Sequence, residues 1–155
     1  RERRLQRMAL KDLFIRWFMA AHGWVLRTSG GRLGSQLGSQ QILLLHTTGR
    51  KSGKERVIPI AYFLKDEQYG IVASNWGKDR QAEWYLNLTT NPRAVLQVKG
   101  KTLAVVAHEA QGSEYEQWWT YVTSRHTPYR DYQAQTRRRI PIMVFDLDAR
   151  RDQGK

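Results

Sequence analysis

The chain has 155 residues, a hydrophobic fraction of 41% and six tryptophans, which is enough apolar surface for one folded domain and excludes a disordered basic tail. Its formal net charge of +12 predicts an anionic partner: a nucleic acid, an acidic membrane surface, or a small ligand carrying phosphates or carboxylates. There are no cysteines, which excludes disulfides, thiolate nucleophiles and cysteine-ligated metal centres and agrees with a cytoplasmic setting.

Arg1 to Arg27 has the pattern of an amphipathic helix. Leu10, Leu13, Phe14, Trp17, Phe18, Ala21, Trp24 and Val25 recur at helical spacing, with Arg4, Arg7, Lys11 and Arg16 elsewhere. Two placements satisfy such a helix: docked on the domain core, or resting on a membrane surface. No apolar run approaches the roughly 18 residues that span a bilayer. No secretory signal is expected either, because the basic N-terminal stretch lacks an uninterrupted apolar core and a small-residue cleavage site. Thr28 to Gln40 is rich in glycine and serine and reads as a loop. It is not a dinucleotide fingerprint, since no strand precedes it and its glycine spacing is wrong.

Strand-like runs follow. Gln41 to Thr48 (QILLLHTT) is a short apolar run expected to be a buried strand. Arg56 to Leu64 (RVIPIAYFL) is a second, in which Pro59 points to a bulge or a sheet edge. Tyr69 to Ser74 is a third, reached through the polar turn KDEQ. Gln81 to Thr90 reads as a short helix stopped by Asn91-Pro92. Ala94 to Val98 and Thr102 to His108 form a hairpin through Lys99-Gly100-Lys101. Ser113 to Ser124 reads as a helix capped by Ser113, Tyr129 to Thr136 as a further helical piece, and Ile140 to Leu147 as a closing strand. Strands joined mainly by short turns, with helices inserted late, predict a mainly β fold with peripheral helices: an antiparallel barrel. Residues 1–29 form the helix and lead-in, 30–148 the single barrel domain, and 149–155 a polar tail.

Several kinds of chemistry lack their signatures. There is no G-x-S-x-G elbow, and the four histidines (His22, His46, His108, His126) form no metal-binding pair, so no metal is expected. The most unusual stretch is HTTGRKSGKERVIPI, His46 to Ile60, which puts Arg50, Lys51, Lys54 and Arg56 between two strands. It fails as a nucleotide P-loop: three residues, not four, separate Gly49 from Gly53, and Glu55 follows Lys54 where Ser or Thr would hold magnesium. Glycines that let amides converge, together with several cations, still suit an anion. A solvated basic hairpin without a ligand satisfies the composition equally well.

LLLHTTGRKSGKERVIPIAYFL (Leu43 to Leu64), followed by IVASNWGKDRQAEWYLNLTTNPRAVLQV (Ile71 to Val98), resembles the deazaflavin-dependent nitroreductase family, small oxidoreductases that use reduced coenzyme F420. The resemblance runs from about Gly30 to Asp146. It implies a split antiparallel β-barrel related to flavin mononucleotide-binding reductases, and a deazaflavin cofactor bearing a phosphodiester and an oligoglutamate tail. By position in the motifs, Arg50, Lys51, Ser52, Lys54 and Arg56 would surround phosphate and tail. Pro59 and Tyr62 would lie beneath the ring system, with Ala73, Ser74 and Asn75 passing along it and Trp84 and Asn87 closing the phosphate side.

The resemblance also implies a hydride leaving the deazaflavin for an electron-poor small molecule: a quinone, a nitroaromatic or an activated alkene. Tyr129 and Tyr132 match tyrosines that line the substrate side, and His126 stands where a further aromatic occurs. Tyr129 is the expected hydrogen-bond or proton donor, with Tyr132, Tyr62 and Ser74 beside it. Some family members have Lys-Gly where this chain has Asn75-Trp76, so one cation is exchanged for a large ring that narrows the pocket or packs in the barrel. Two alternatives stay open: a flavin- or haem-type binding barrel without this turnover, and a basic nucleic-acid-binding domain. Against the latter, the aromatics do not interleave with the basic residues as a stacking platform requires. The expected partner is therefore a small-molecule acceptor and not a nucleic acid, with peripheral membrane contact through residues 1–27 as a further reading.

Overall fold

Backbone pairing turns the alternating runs into a closed wall. The computed structural model describes residues 36–37 and 40–152; the helix expected over residues 1–29 lies outside them. Gln36–Leu37 (β1) pairs antiparallel with the start of Gln40–Thr48 (β2). A two-residue strand thus sits inside the stretch read as loop, too short for any period-2 pattern to reveal it. Glu55–Lys65 (β3) pairs with β2 in unbroken register from Gln41↔Tyr62 to Thr48↔Glu55. Gln68–Val72 (β4), Arg93–Val98 (β5), Lys101–Glu109 (β6) and Ile142–Leu147 (β7) follow. The order β2-β3-β4-β7-β6-β5 closes on itself through a β2–β5 pairing, giving a six-stranded antiparallel barrel.

The interior follows from period-2 alternation. Leu43 and Leu45 of β2, Ile71 of β4, Leu96 and Val98 of β5 and Met143 and Phe145 of β7 share one core. Glu83–Thr90 (α1) closes this core with Trp84 and Leu88. The opposite faces of β4 and β7, with Val72, Ile142 and Val144, are covered by Tyr115, Trp118 and Val122 of Gly112–Arg125 (α2) and Tyr129 of Pro128–Ala134 (α3). Gln111, not Ser113, occupies the N-cap position of α2. A single turn, Ala149–Asp152 (α4), stands where a polar tail is expected.

Two local features position the site. Only Phe63, Leu64 and Lys65 of β3 pair with β4, so the stretch from Arg56 to Ala61 has a partner on its β2 side alone. Pro59 lies opposite Leu44 on this half-open stretch without a bulge; the edge reading is the one realised, because a residue lacking an N–H costs least there. Gly70 gives α2 its seat. A Cβ at Gly70 would stand 2.4 Å from Trp118 Cζ3, and an indole buried among Ile142, Val144 and Val122 cannot step aside. Gly70→Ala is expected to cost about 2 kcal/mol through overpacking, read as a lowered midpoint in urea with an unchanged slope.

Candidate active site

A cleft of ≈ 720 Å³ opens along the half-open flank of β3. Its lining runs from Thr47 to Gln40 on β2, a length of about 23 Å at strand rise. The site is therefore elongated, with different chemistry at its two ends.

At the Thr47 end lies the basic loop. The Gly49 N–H donates to the Lys54 carbonyl (2.8 Å), and the Gly53 N–H to the Gly49 carbonyl (2.8 Å). Gly53 has φ +68°, a left-handed conformation that glycine adopts freely. A Cβ on Gly49 would meet Ser52 Oγ at 2.8 Å, so the fold-back depends on its absence. Ser52 Oγ accepts from the Lys54 N–H (3.2 Å) and from Arg56 Nη2 (3.4 Å). The cations are not equivalent. Arg50 Nη1 donates to Glu83 Oε2 (2.7 Å) and to Asn87 Oδ1 (3.0 Å), and the Arg50 N–H donates to the same Asn87 oxygen (3.1 Å). Glu83 is also held by Arg80 Nη2 at 2.5 Å. Hydrogen bonds first from Arg50 and then from Arg80 hold the Glu83 carboxyl below its ordinary range, so this latch stays closed at neutral pH and opens only as pH falls through that lowered value. Lys51 and Arg56 meet no carboxylate within 4.0 Å among the described residues. They are exposed, line the cleft, and keep their charge for a ligand.

The Gln40 end is aromatic. Tyr129 packs edge-on with Tyr132 (6.1 Å between ring centroids), His126 (5.0 Å) and Phe63 (5.9 Å). Its hydroxyl oxygen accepts from Gln40 Nε2 at 3.1 Å. No described residue accepts the Tyr129 proton, and the ring lines the cleft. Burial, the dominant influence, pushes its pKa above the ordinary phenol value; the Gln40 bond opposes this and the nearby Tyr132 adds to it. Tyr129 therefore stays protonated across the physiological range and is built to donate.

Between the ends, the segment after β4 crosses the cleft. Asn75, Trp76 and Gly77 have φ of 46°, 61° and 75°, three successive left-handed residues. For Trp76 this costs about 1–2 kcal/mol, whereas asparagine adopts it more readily. Gly77 is needed for a second reason: a Cβ there would lie 3.0 Å from Tyr132 Cα and 2.9 Å from the Tyr132 carbonyl oxygen. The strain is held by bonds. Asn75 Nδ2 donates to the Arg80 carbonyl (2.8 Å). Thr136 Oγ1 donates to Asp79 Oδ1 (2.7 Å). Arg138 reaches four acceptors: the carbonyls of Lys78 (2.8 Å), Ser74 (2.8 Å) and Ala73 (3.4 Å), and Gln81 Oε1 (3.1 Å).

The cleft gathers Arg50, Lys51, Ser52, Arg56, Pro59, Ser74, Asn75, Trp84, Asn87, Tyr129 and Tyr132 from the sequence-expected set. Three do not line it. Tyr62 points into the barrel core against Tyr69, and burial pushes its phenol up to about 12. On β3 it shares the core-facing side with Ile58 and Ile60 but lies past the stretch from Ile58 to Ala61 that lines the cleft. Ala73 is fully buried, with its N–H bonded to the Pro141 carbonyl. Lys54 contributes backbone bonds to the loop while its side chain stays outside the lining. Sequence reasoning missed Glu83, Gln40 and Arg138. A carboxylate beside an anion grip and an amide on a tyrosine carry no motif, and Arg138 lies 64 residues from the Ser74 carbonyl it holds. Among the described residues no group of His, Asp and Glu is placed to hold a metal ion, and no helix is long and apolar enough to cross a membrane.

The donor set fits an elongated ligand that is anionic at one end and flat at the other: two uncommitted cations, then the Ile58–Ala61 wall with Trp84, then the Ser74 hydroxyl and the Tyr129 O–H, whose proton no described residue accepts. A split β-barrel with such a cleft is that of a protein built to hold an elongated, partly anionic small-molecule ligand. The pattern of the F420H(2)-dependent quinone reductases matches residues 18–146, and the chain belongs to that family. It is 35% identical over 128 residues to an F420H(2)-dependent quinone reductase of Mycobacterium tuberculosis, an alignment covering 80% of this chain and 86% of the relative. Among solved structures, an F420-H2 dependent reductase superposes with a TM-score of 0.63 at 37% identity, covering 68% of this chain and 93% of its own. A domain-swapped dimer superposes at 0.65 with 30% identity, covering 91% and 99%. The chain is accordingly an F420H2-dependent reductase whose cofactor is coenzyme F420.

Proposed function

We infer that this chain reduces a quinone with F420H2, and that the two ends of the cleft divide the work. The observation that carries the reading is the single cleft joining Lys51 and Arg56 at one end to the Tyr129 hydroxyl at the other. Lys51 and Arg56, with Ser52 between them, would neutralise the phosphate and carboxylates of the cofactor tail. Trp84 and the wall from Ile58 to Ala61 would take the ring system and exclude water from it. Bound there, the reduced deazaflavin supplies a hydride. Tyr129 O–H points its proton at the acceptor, where a quinone oxygen gains negative charge as it is reduced; a donor already in place stabilises that charge. Ser74, whose hydroxyl has no partner among the described residues, offers a second donor from the strained turn. The relatives' quinone activity supports a quinone ahead of a nitroaromatic or an enone.

Turnover of menadione, a nitroaromatic and cyclohexenone with F420H2 tests this reading; menadione is expected to be reduced fastest. Tyr129→Phe keeps the packed ring and removes only the O–H. It is expected to slow menadione reduction by about a hundredfold, the lower end of the range for a single oxyanion donor or general acid, with F420 affinity unchanged. Unaltered menadione turnover in this variant would remove Tyr129 from the reaction.

A further inference from the structure

Trp76 is the one strongly exposed tryptophan among the described residues, with 68% of its surface open, although it lies at the cleft. Large aromatic side chains rarely stand in water without a partner. Its backbone makes the position more unusual still. Trp76 has φ 61° and ψ 24°, inside the left-handed run that Arg138 and Asn75 hold in place. A bulky residue gains nothing structural from such a conformation, and the fold supplies the bonds that maintain it. The turn does one visible thing: it swings the indole to the mouth of the cleft, nearly perpendicular to Tyr132 with centroids 6.2 Å apart. Tyr132 in turn meets Tyr129 edge-on. The indole thus ends an aromatic row that begins at the hydroxyl placed to polarise the acceptor, and 68% of its surface is left open by the described residues.

We propose that Trp76 is the acceptor-selecting residue: its open indole face stacks on the ring of the acceptor that projects from the cleft, so the site favours fused-ring over single-ring quinones. The inference rests on the reading of the Tyr129 end as the acceptor site. Tyr129, Tyr132 and Trp76 line one cleft in successive edge-on contact, so a quinone whose reacting carbonyl is held at Tyr129 and that lies along this row brings a second fused ring toward the indole. Offset stacking of two flat apolar surfaces rewards that ring and ignores its absence. The open mouth also leaves room for a substituent on that second ring to run out to solvent.

Calorimetric binding of menadione, with two fused rings, and of duroquinone, with one, to the F420-bound protein tests this. Trp76→Gly removes the indole and places at the left-handed position a residue that adopts it freely; Trp76→Asn does the same with a second side chain that tolerates it. Both are expected to bind menadione about tenfold more weakly, duroquinone within about twofold of wild type, and F420 with unchanged affinity. Trp76→Phe restores part of the menadione affinity. Equal losses for the two quinones, or no loss for either, overturn the proposal. A parallel loss of F420 affinity overturns it as well, by assigning Trp76 to the cofactor grip. If wild type binds menadione but does not reduce it, the proposed quinone reduction fails while the binding ratio still decides the role of Trp76.

Discussion

The Lys51→Ala, Arg56→Ala double variant is expected to bind coenzyme F420 about a hundredfold more weakly than wild type, with a shallower dependence on salt. Each exposed cation that meets a phosphate or carboxylate contributes about 1.4 kcal/mol, or tenfold. These two are the loop cations that line the cleft and are not paired with a carboxylate among the described residues. The fold should not notice: both side chains are exposed, and the one internal bond lost, Arg56 to Ser52, is long at 3.4 Å. Arg50→Ala should behave differently. Arg50 is already bonded to Glu83 and Asn87, so its removal leaves Glu83 beside the anion site with Arg80 as its one remaining cation and loosens the loop from α1. Fluorescence titration separates these effects when repeated with a deazaflavin lacking phosphate and glutamates. The double variant should bind that truncated ligand as wild type does. A hundredfold loss for it too would place Lys51 and Arg56 at the ring and not at the tail.

That difference among cations shows where the sequence was readable and where it was not. The barrel was written in the period-2 runs: Leu43 and Leu45 inward, Met143 and Phe145 inward, Val144 outward under α2. Pro59 announced its edge. The basic loop announced an anion, and the order of motifs announced which family of ligand. Tyr62 shows the limit of carrying a role over by motif, because it lies past the cleft-lining stretch of its own strand and packs in the core. Sequence does not reveal which arginine is paired and which is free; Arg50 and Arg56 look alike until α1 brings Glu83 and Asn87 to one of them. Nor does it reveal the left-handed run at Asn75–Gly77: Asn75 and Gly77 are residue types that adopt it, but Trp76 between them is not. The bonds that hold this run come from Arg138 and Thr136, far along the chain, and long-range polar contacts have no periodicity to detect.

Arg138→Met is expected to lower stability by about 3 kcal/mol, a fall of roughly 10 °C in the melting temperature of a chain this size. Methionine keeps most of the length and apolar stem of arginine, so the loss is that of the guanidinium and its four acceptors. Partial burial already pushes the Arg138 pKa below its ordinary value, with Asp79 opposing the shift, yet the group stays charged at any physiological pH. With the guanidinium gone, the carbonyls of Ala73 and Lys78 lose its N–H groups, the Ser74 carbonyl keeps only the Gly77 N–H, and the strained turn loses bonds that offset its cost. Arg138→Lys should recover only part, because one ammonium cannot span the same four acceptors. A purely structural role would end there. Arg138 is instead a positioning residue for Ser74 and Trp76, so well below the melting transition Arg138→Met should still bind menadione several-fold more weakly, while F420 affinity changes less. The two roles are separated by a double-mutant cycle with Trp76→Gly. If Arg138 acts on the acceptor through the turn, the double variant should bind menadione no more weakly than Trp76→Gly alone. Additive losses would mean that Arg138 reaches the acceptor site by some route other than the backbone it holds.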